Sequence, residues 1–228
     1  MRTALQLALL GCVLIVTASA QVVLTFDGLQ DQEQVLNYYN GGFGSLGSGP
    51  GPDYGVTFGY DAFTSINGQN GGTGNFAGNP SGDSILVFLG INAIMNDPGG
   101  FTTGFSFYYS AISESGTINI YSGINDTGSL LQTITVPLTP SEVGSNPACA
   151  DPVEPFCPFF PLGVTFSGIA RSVDFSQTVN KIGFDNVTLG SSTAGGSPEP
   201  VTSSLLGLGL TCLVVIGRVR KKAQRSVR

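Results

Sequence analysis

The chain has 228 residues, a formal net charge of −6 and no histidine. Of its nine basic residues only Arg171 and Lys181 fall between Gln21 and Pro200, whereas all fifteen acidic residues do. Such a stretch repels phosphate backbones and anionic lipid, which argues against nucleic-acid partners. The missing histidine excludes Ser-His and Cys-His nucleophile systems and histidine-bound metals.

Arg2, an apolar run over 5–16 and the small-residue site Ala18-Ser19-Ala20 read as a secretory signal peptide over residues 1–20. The Sec export machinery would handle it and leave Gln21 as the mature N-terminus. Residues 21–196 then fit one domain. Runs rich in β-branched and aromatic residues predict strands over 22–26, 55–58, 84–89, 104–109, 117–121, 131–136, 164–166, 172–175 and 181–189. Phe105, Phe107 and Tyr109 alternate with Ser106, Tyr108 and Ser110, as a strand with one buried face should. A short helix has room over 30–36, but long helical periodicity is absent. The expected fold is an all-β antiparallel sandwich, jelly-roll-like.

Two glycine-rich stretches, 41–52 and 67–82, read as long loops at one end of the sandwich. Tyr38, Tyr39, Tyr54 and Tyr60 flank them, with Phe43 inside the first. They are candidates for stacking on sugar rings, or else close the core. Cys149 and Cys157 sit among Pro147, Pro152, Pro155, Pro158 and Pro161; in an oxidising compartment they predict a local disulfide. In Lys181-Ile182-Gly183-Phe184-Asp185-Asn186-Val187-Thr188-Leu189 the apolar positions change parity after Phe184, which predicts a β-bulge at Asp185-Asn186. The first mature strand ends in Phe26-Asp27-Gly28. If the first and last strands are neighbours, Asp27 and Asp185 could meet and hold a structural Ca²⁺, or each could accept hydrogen bonds from turn amides.

The final stretch opens on Ser197-Pro198-Glu199-Pro200, continues as an uncharged apolar segment over 201–217 and closes on Arg218, Arg220, Lys221 and Lys222 within the basic tail 218–228. At ~1.5 Å per residue the segment makes roughly 25 Å of helix, enough to cross a thin hydrocarbon core, with the basic cluster stopping transfer in the cytoplasm. This tail resembles the PEP-CTERM sorting signal of exported bacterial proteins. The resemblance implies an exosortase as partner, cleavage near Pro198-Glu199-Pro200, transient anchoring in the inner membrane and a final place on the cell surface or in an extracellular matrix rich in exopolysaccharide. An uncut anchor is the plain alternative.

Phe26-Asp27-Gly28 and Phe184-Asp185-Asn186-Val187 resemble the two ends of carbohydrate-binding-module-like jelly rolls, whose ends frequently share a structural calcium. The chain also resembles exported PEP-CTERM proteins in Tyr38-Tyr39-Asn40-Gly41-Gly42 and Tyr54-Gly55-Val56-Thr57-Phe58, and no activity is implied by that likeness. Catalysis is not expected: carboxylates abound, but none stands in a glycosidase motif, and no phosphate-cradling Gly-Lys motif exists. The sequence therefore points to a non-catalytic surface or matrix protein associated with polysaccharide. A ligand-free structural envelope protein and, further off, a glycoside hydrolase are the alternatives.

Overall fold

The computed structural model describes residues 21–151 and 153–195. The expectations for the signal peptide, for Pro198, Glu199 and Pro200, for the apolar segment 201–217 and for Arg218, Arg220, Lys221 and Lys222 fall outside the described residues.

Strands form where alternation lets one face go inward. They are β1 (Val22–Leu24), β2 (Thr57–Phe58), β3 (Ala62–Ile66), β4 (Ser84–Phe88), β5 (Ile94–Phe101), β6 (Gly104–Ser110), β7 (Gly116–Tyr121), β8 (Leu130–Val136), β9 (Phe160–Thr165), β10 (Ala170–Asp174) and β11 (Gly183–Leu189). One sheet has the order β3-β4-β11-β6-β9, with β1 also paired to β11; the other is β2-β5-β10-β7-β8. All pairings are antiparallel. From β4 onward they are nested: β4 with β11, β5 with β10, β6 with β9 and β7 with β8. One long hairpin rolled into two sheets gives this order, which is the jelly-roll wiring.

The core lies between the sheets. Leu86, Phe88, Phe105, Phe107 and Phe184 from the first meet Met95, Ile118, Ile120, Ile134 and Val173 from the second, all nearly or fully buried. The phenylalanines interlock, with Phe88 on Phe175 at 4.7 Å between ring centroids and Phe107 edge-on to Phe184 at 5.2 Å. Such pairs add about 1 kcal/mol each beyond area burial.

The break in parity on the last strand is present. Asp185 pairs with Tyr108 and Thr188 with Ser106, so two residues on β11 stand opposite Phe107 alone. Asn186 takes a positive φ of 48° there, and Phe184, Val187 and Leu189 all reach the core. The first and last strands are neighbours, with Val22 opposite Leu189 and Leu24 opposite Val187.

Three local expectations fail for physical reasons. Residues 30–36 do not form a helix, because Gln32 and Leu36 adopt left-handed φ and the segment makes only an isolated bridge, Gln34 to Phe63. Instead the buried Glu33 organises the stretch 41–52: its carboxylate accepts from the backbone N–H of Gln30 (2.8 Å), Leu46 (2.8 Å) and Ser48 (3.1 Å). A Cβ at Gly44 would run into that carboxylate, so only glycine lets the loop close around it. Burial alone would push this carboxyl up, but the hydrogen bonds from Gln30, Ser48 and Leu46 outweigh it and leave the pKa lowered.

The stretch 67–82 is not at one end of the sandwich. It lies against the outward side of the six-stranded sheet, where Phe76 and Phe159 pack on Ile85 with Val87, Tyr108 and Phe156 around them. Finally, β3 and β5 were not expected. The sequence Asn96-Asp97-Pro98-Gly99-Gly100 reads as a turn, and it does bulge: Asn96 pairs with Ser172 and Phe101 with Ala170, leaving four residues opposite Arg171.

Candidate functional site

The four candidate tyrosines divide. Tyr38 and Tyr39 are 9% and 3% exposed and belong to the core, so the expectation of sugar contact fails for both. The Tyr39 hydroxyl accepts from the Phe26 N–H at 2.6 Å, and the Tyr38 hydroxyl donates to the Asp27 carbonyl at 3.2 Å. Burial pushes the Tyr39 phenol far up, which keeps it neutral. These rings tie 38–39 to the end of the first strand, where Phe26 holds a left-handed φ of 64°. Tyr54 and Tyr60 are 45% and 58% exposed, and Phe43 is 54% exposed. Tyr54 stacks on Tyr39, the planes 12° apart and the centroids at 6.2 Å. A buried ring with a fixed hydroxyl thus sets the orientation of an exposed one.

Asp27 and Asp185 both lean on the turn 79–83, which supplies hydrogen-bond donors to each. Asp185 is fully buried, and its Oδ1 accepts from the Ser81 hydroxyl (2.7 Å) and the Asn186 N–H (2.7 Å). Its Oδ2 accepts from the Ser81 N–H (2.9 Å) and the Asn79 side-chain amide (3.3 Å). Burial nevertheless pushes its carboxyl up to about 6, against the pull of those donors. Asp27 is also raised, chiefly by burial, with hydrogen bonds from Thr25 and Asp83 lowering it and the Asp83 carboxylate raising it. Calcium needs six to eight converging oxygens. The four acceptor positions of Asp185 are taken by N–H and O–H donors, and no group of three acidic, His or Cys side chains among the described residues is arranged to hold a metal. The residues as placed do not fit a calcium shell.

Cys149 and Cys157 are bonded, and both are fully buried. Their loop carries the cover of the six-stranded sheet: Ala77 N–H donates to the Phe156 carbonyl at 3.3 Å, and the Asn67 side-chain amide donates to the Phe76 carbonyl. At Gly78 (φ +67°) a Cβ would lie 3.0 Å from the Cys157 sulfur, so the glycine-rich stretch crosses the disulfide at contact distance.

A polar surface that sequence reasoning missed lies on the outer side of the five-stranded sheet. The β7–β8 turn folds back over it. Asn125 and Asn96 exchange hydrogen bonds, backbone N–H to Oδ1 at 2.7 Å and side-chain amide to Oδ1 at 2.8 Å. The Asp126 N–H donates to the Ser172 hydroxyl at 3.0 Å. Asp126 Oδ1 has no hydrogen-bond partner, and its carboxyl is pushed up to about 6 by burial and then by the Asp174 carboxylate. Ser122-Gly123-Ile124-Asn125-Asp126 reads only as a turn, and nothing in it signals that the turn docks on the sheet.

No family model and no curated protein matches the chain. Among solved structures, a glycoside hydrolase family 43 arabinoxylan arabinofuranohydrolase from Bacillus subtilis superposes with a TM-score of 0.37 and 15% identity over 60% of this chain. That match spans only 26% of the enzyme. The K2 cleaved adhesin domain of Lys-gingipain gives 0.43 and 11% identity over 75% of this chain and 98% of the domain. A mutant of a family 29 carbohydrate-binding module gives 0.36 and 13% identity over 80% of this chain and 99% of the module. At such scores and identities the likeness says nothing of what this chain binds.

Proposed function

We propose that residues 21–196 are the non-catalytic ectodomain of an exported, exosortase-processed bacterial surface or matrix protein that holds extracellular polysaccharide. The sorting tail carries the export part of this reading, through Pro198-Glu199-Pro200, the apolar segment and the basic end. The observation that carries polysaccharide binding is Tyr54, an exposed ring stacked on the buried, hydrogen-bonded Tyr39. An aromatic held in one orientation stacks on a sugar without losing side-chain freedom at the moment of binding, which is the advantage of preorganisation. Tyr60 adds a second exposed ring. The test is retention on immobilised exopolysaccharide, for wild type and for Tyr54→Ala and Tyr60→Ala. Retention lost in the variants supports the reading; retention unchanged in both, or governed by salt alone, favours a ligand-free structural protein.

One observation favours glycoside hydrolysis as a second reading: the Asp126 carboxyl, with an unpartnered Oδ1, is pushed up to about 6 by burial and then by the Asp174 carboxylate. A raised carboxyl beside a second carboxylate is the general-acid pattern of a glycosidase. Turnover of xylan, cellulose or arabinan that Asp126→Asn abolishes would establish it, and no turnover by wild type would remove it.

A further inference from the structure

A sheet edge exposes a row of backbone N–H and C=O groups that can pair with another extended chain, and folded proteins protect such edges. The two sheets end on β3, β9, β2 and β8. The first three are protected. Along β3 runs the stretch 32–35, where the Gln32 and Val35 N–H groups donate to the Thr64 and Ala62 carbonyls at 2.9 and 3.0 Å. β9 carries Pro161, which has no N–H to offer. β2 is two residues long, and beside it the Leu36 and Tyr39 carbonyls accept from Phe58 and Val56. β1, next to β11, spans only three residues.

β8 has none of these devices. It runs for seven residues, and no charged residue stands between Thr127 and Ser141. Among the described residues its backbone pairs with β7 alone. The Thr133 N–H points off the sheet, where it donates to the Gln132 side-chain oxygen at 3.1 Å. Antiparallel alternation turns the Thr135 N–H the same way. Thr133 and Thr135 are exposed, Ile134 and Val136 fill the core, and Leu130 at the start of the strand is 53% exposed.

Such an edge is matched by an extended, uncharged, β-branched strand without proline, and β8 is itself one. Laid antiparallel on its own copy with Thr133 opposite Thr133, it sets Gln132 opposite Ile134 and Leu130 opposite Val136. No charge then faces another, and paired threonines are favourable on a sheet face. The Thr133 N–H exchanges the Gln132 side chain for the carbonyl of the second copy. Because the other edges are protected, the pairing closes with two copies. We infer that the β8 edges of two copies pair about a two-fold axis at Thr133, joining two five-stranded sheets into one continuous sheet.

The test is sedimentation of the full chain in a density-matched detergent over a dilution series. A dimer should form, and added salt should favour it by screening the repulsion between two acidic domains. Thr135→Pro keeps the ladder to β7 but removes an N–H from the free edge, and Thr133→Lys sets two like charges at the axis. Each should raise the dimer Kd by at least about tenfold, the size of one or two lost hydrogen bonds. Should Thr135→Pro fail to fold, Thr133→Lys decides alone, because its side chain is exposed. An unchanged dimer in the variants assigns association to another surface, the apolar tail included, and overturns the inference. A monomer at every concentration also overturns it and leaves the edge to a strand of a different protein. So do species larger than a dimer that vanish in the β8 variants, since they show open pairing. Tyr54→Ala should dimerise as wild type does, so the edge and the polysaccharide reading fail separately.

Discussion

The two sheets share one core but treat their outer faces differently. On the six-stranded sheet β4 reads Ser-Ile-Leu-Val-Phe, apolar on both sides, and its outward Ile85 and Val87 are roofed by Phe76, Phe156 and Phe159. On the five-stranded sheet β7 reads Gly-Thr-Ile-Asn-Ile-Tyr, strictly alternating, and its outward Thr117, Asn119 and Tyr121 are only partly buried. A continuous apolar strand must be covered twice, and an alternating one only once. That difference places the glycine-rich stretch and the disulfide loop on one side of the molecule. It leaves the other side polar.

The comparison breaks most severely if the shared core is opened. Phe107→Ala, at a ring that touches Phe105, Tyr109 and Phe184, should cost about 3–5 kcal/mol in urea unfolding, whereas Phe76→Ala, in the smaller cluster of the roof, should cost less. Equal costs would mean that roof and core are one unit. Removing the disulfide with Cys149→Ala and Cys157→Ala should cost about 2–3 kcal/mol. Limited proteolysis of that variant should cut within 67–82 and 141–158 before the strands. Cleavage spread evenly over the chain would show that the roof is not a separable layer.

Acid titration sharpens the contrast between the two buried carboxylates that anchor loops. Asp185 has a folded pKa of about 6 against 3.8 for the free group, so its contribution is full below pH 3.8 and is lost as the pH rises to about 6. Glu33 behaves oppositely: its lowered pKa contributes stability above 4.5, which is lost as the pH falls through the folded value. Urea midpoints across the acid range should lose the first slope in Asp185→Asn and the second in Glu33→Gln. The melting temperature should be the same in calcium and in chelator. A calcium-dependent rise that both Asp27→Ala and Asp185→Ala remove would overturn the hydrogen-bonded account of that turn. The smallest effect belongs to the exposed pair Lys181–Glu114, 2.7 Å apart, where Lys181→Ala should shift stability by less than about 1 kcal/mol.

The sheets were legible because alternation and β-branching act within a few residues. So was the bulge, since Phe184 and Val187 cannot share a face without one. What the sequence hid was contact between distant segments. Asp97-Pro98-Gly99-Gly100 carries turn residues inside a strand because the strand bulges there, and composition cannot tell a bulge from a chain reversal. Tyr38 and Tyr39 look like the flanks of a binding loop, and their burial depends on Phe26 and Asp27, more than ten residues away. Glu154 is a bare acidic residue among prolines until Gln69, distant in sequence, crosses over it. The exposed Tyr54 and Tyr60 could not be separated from their buried neighbours by residue type.

The pairing of Val22 with Leu189 brings the two ends of the domain within one strand spacing, about 5 Å. A short linker could therefore join them, and the chain could be reopened at the exposed link 113–115 between β6 and β7 with the strand pairings otherwise intact. The same adjacency has a mechanical meaning. Tension on a C-terminal tether would reach Leu189 through the hydrogen-bonded stretch 190–195, and Leu189 lies on a strand flanked by β6 on one edge and by β1 and β4 on the other. It loads the middle of a sheet and not a free edge, so the strand that bears the pull is the one with neighbours on both sides.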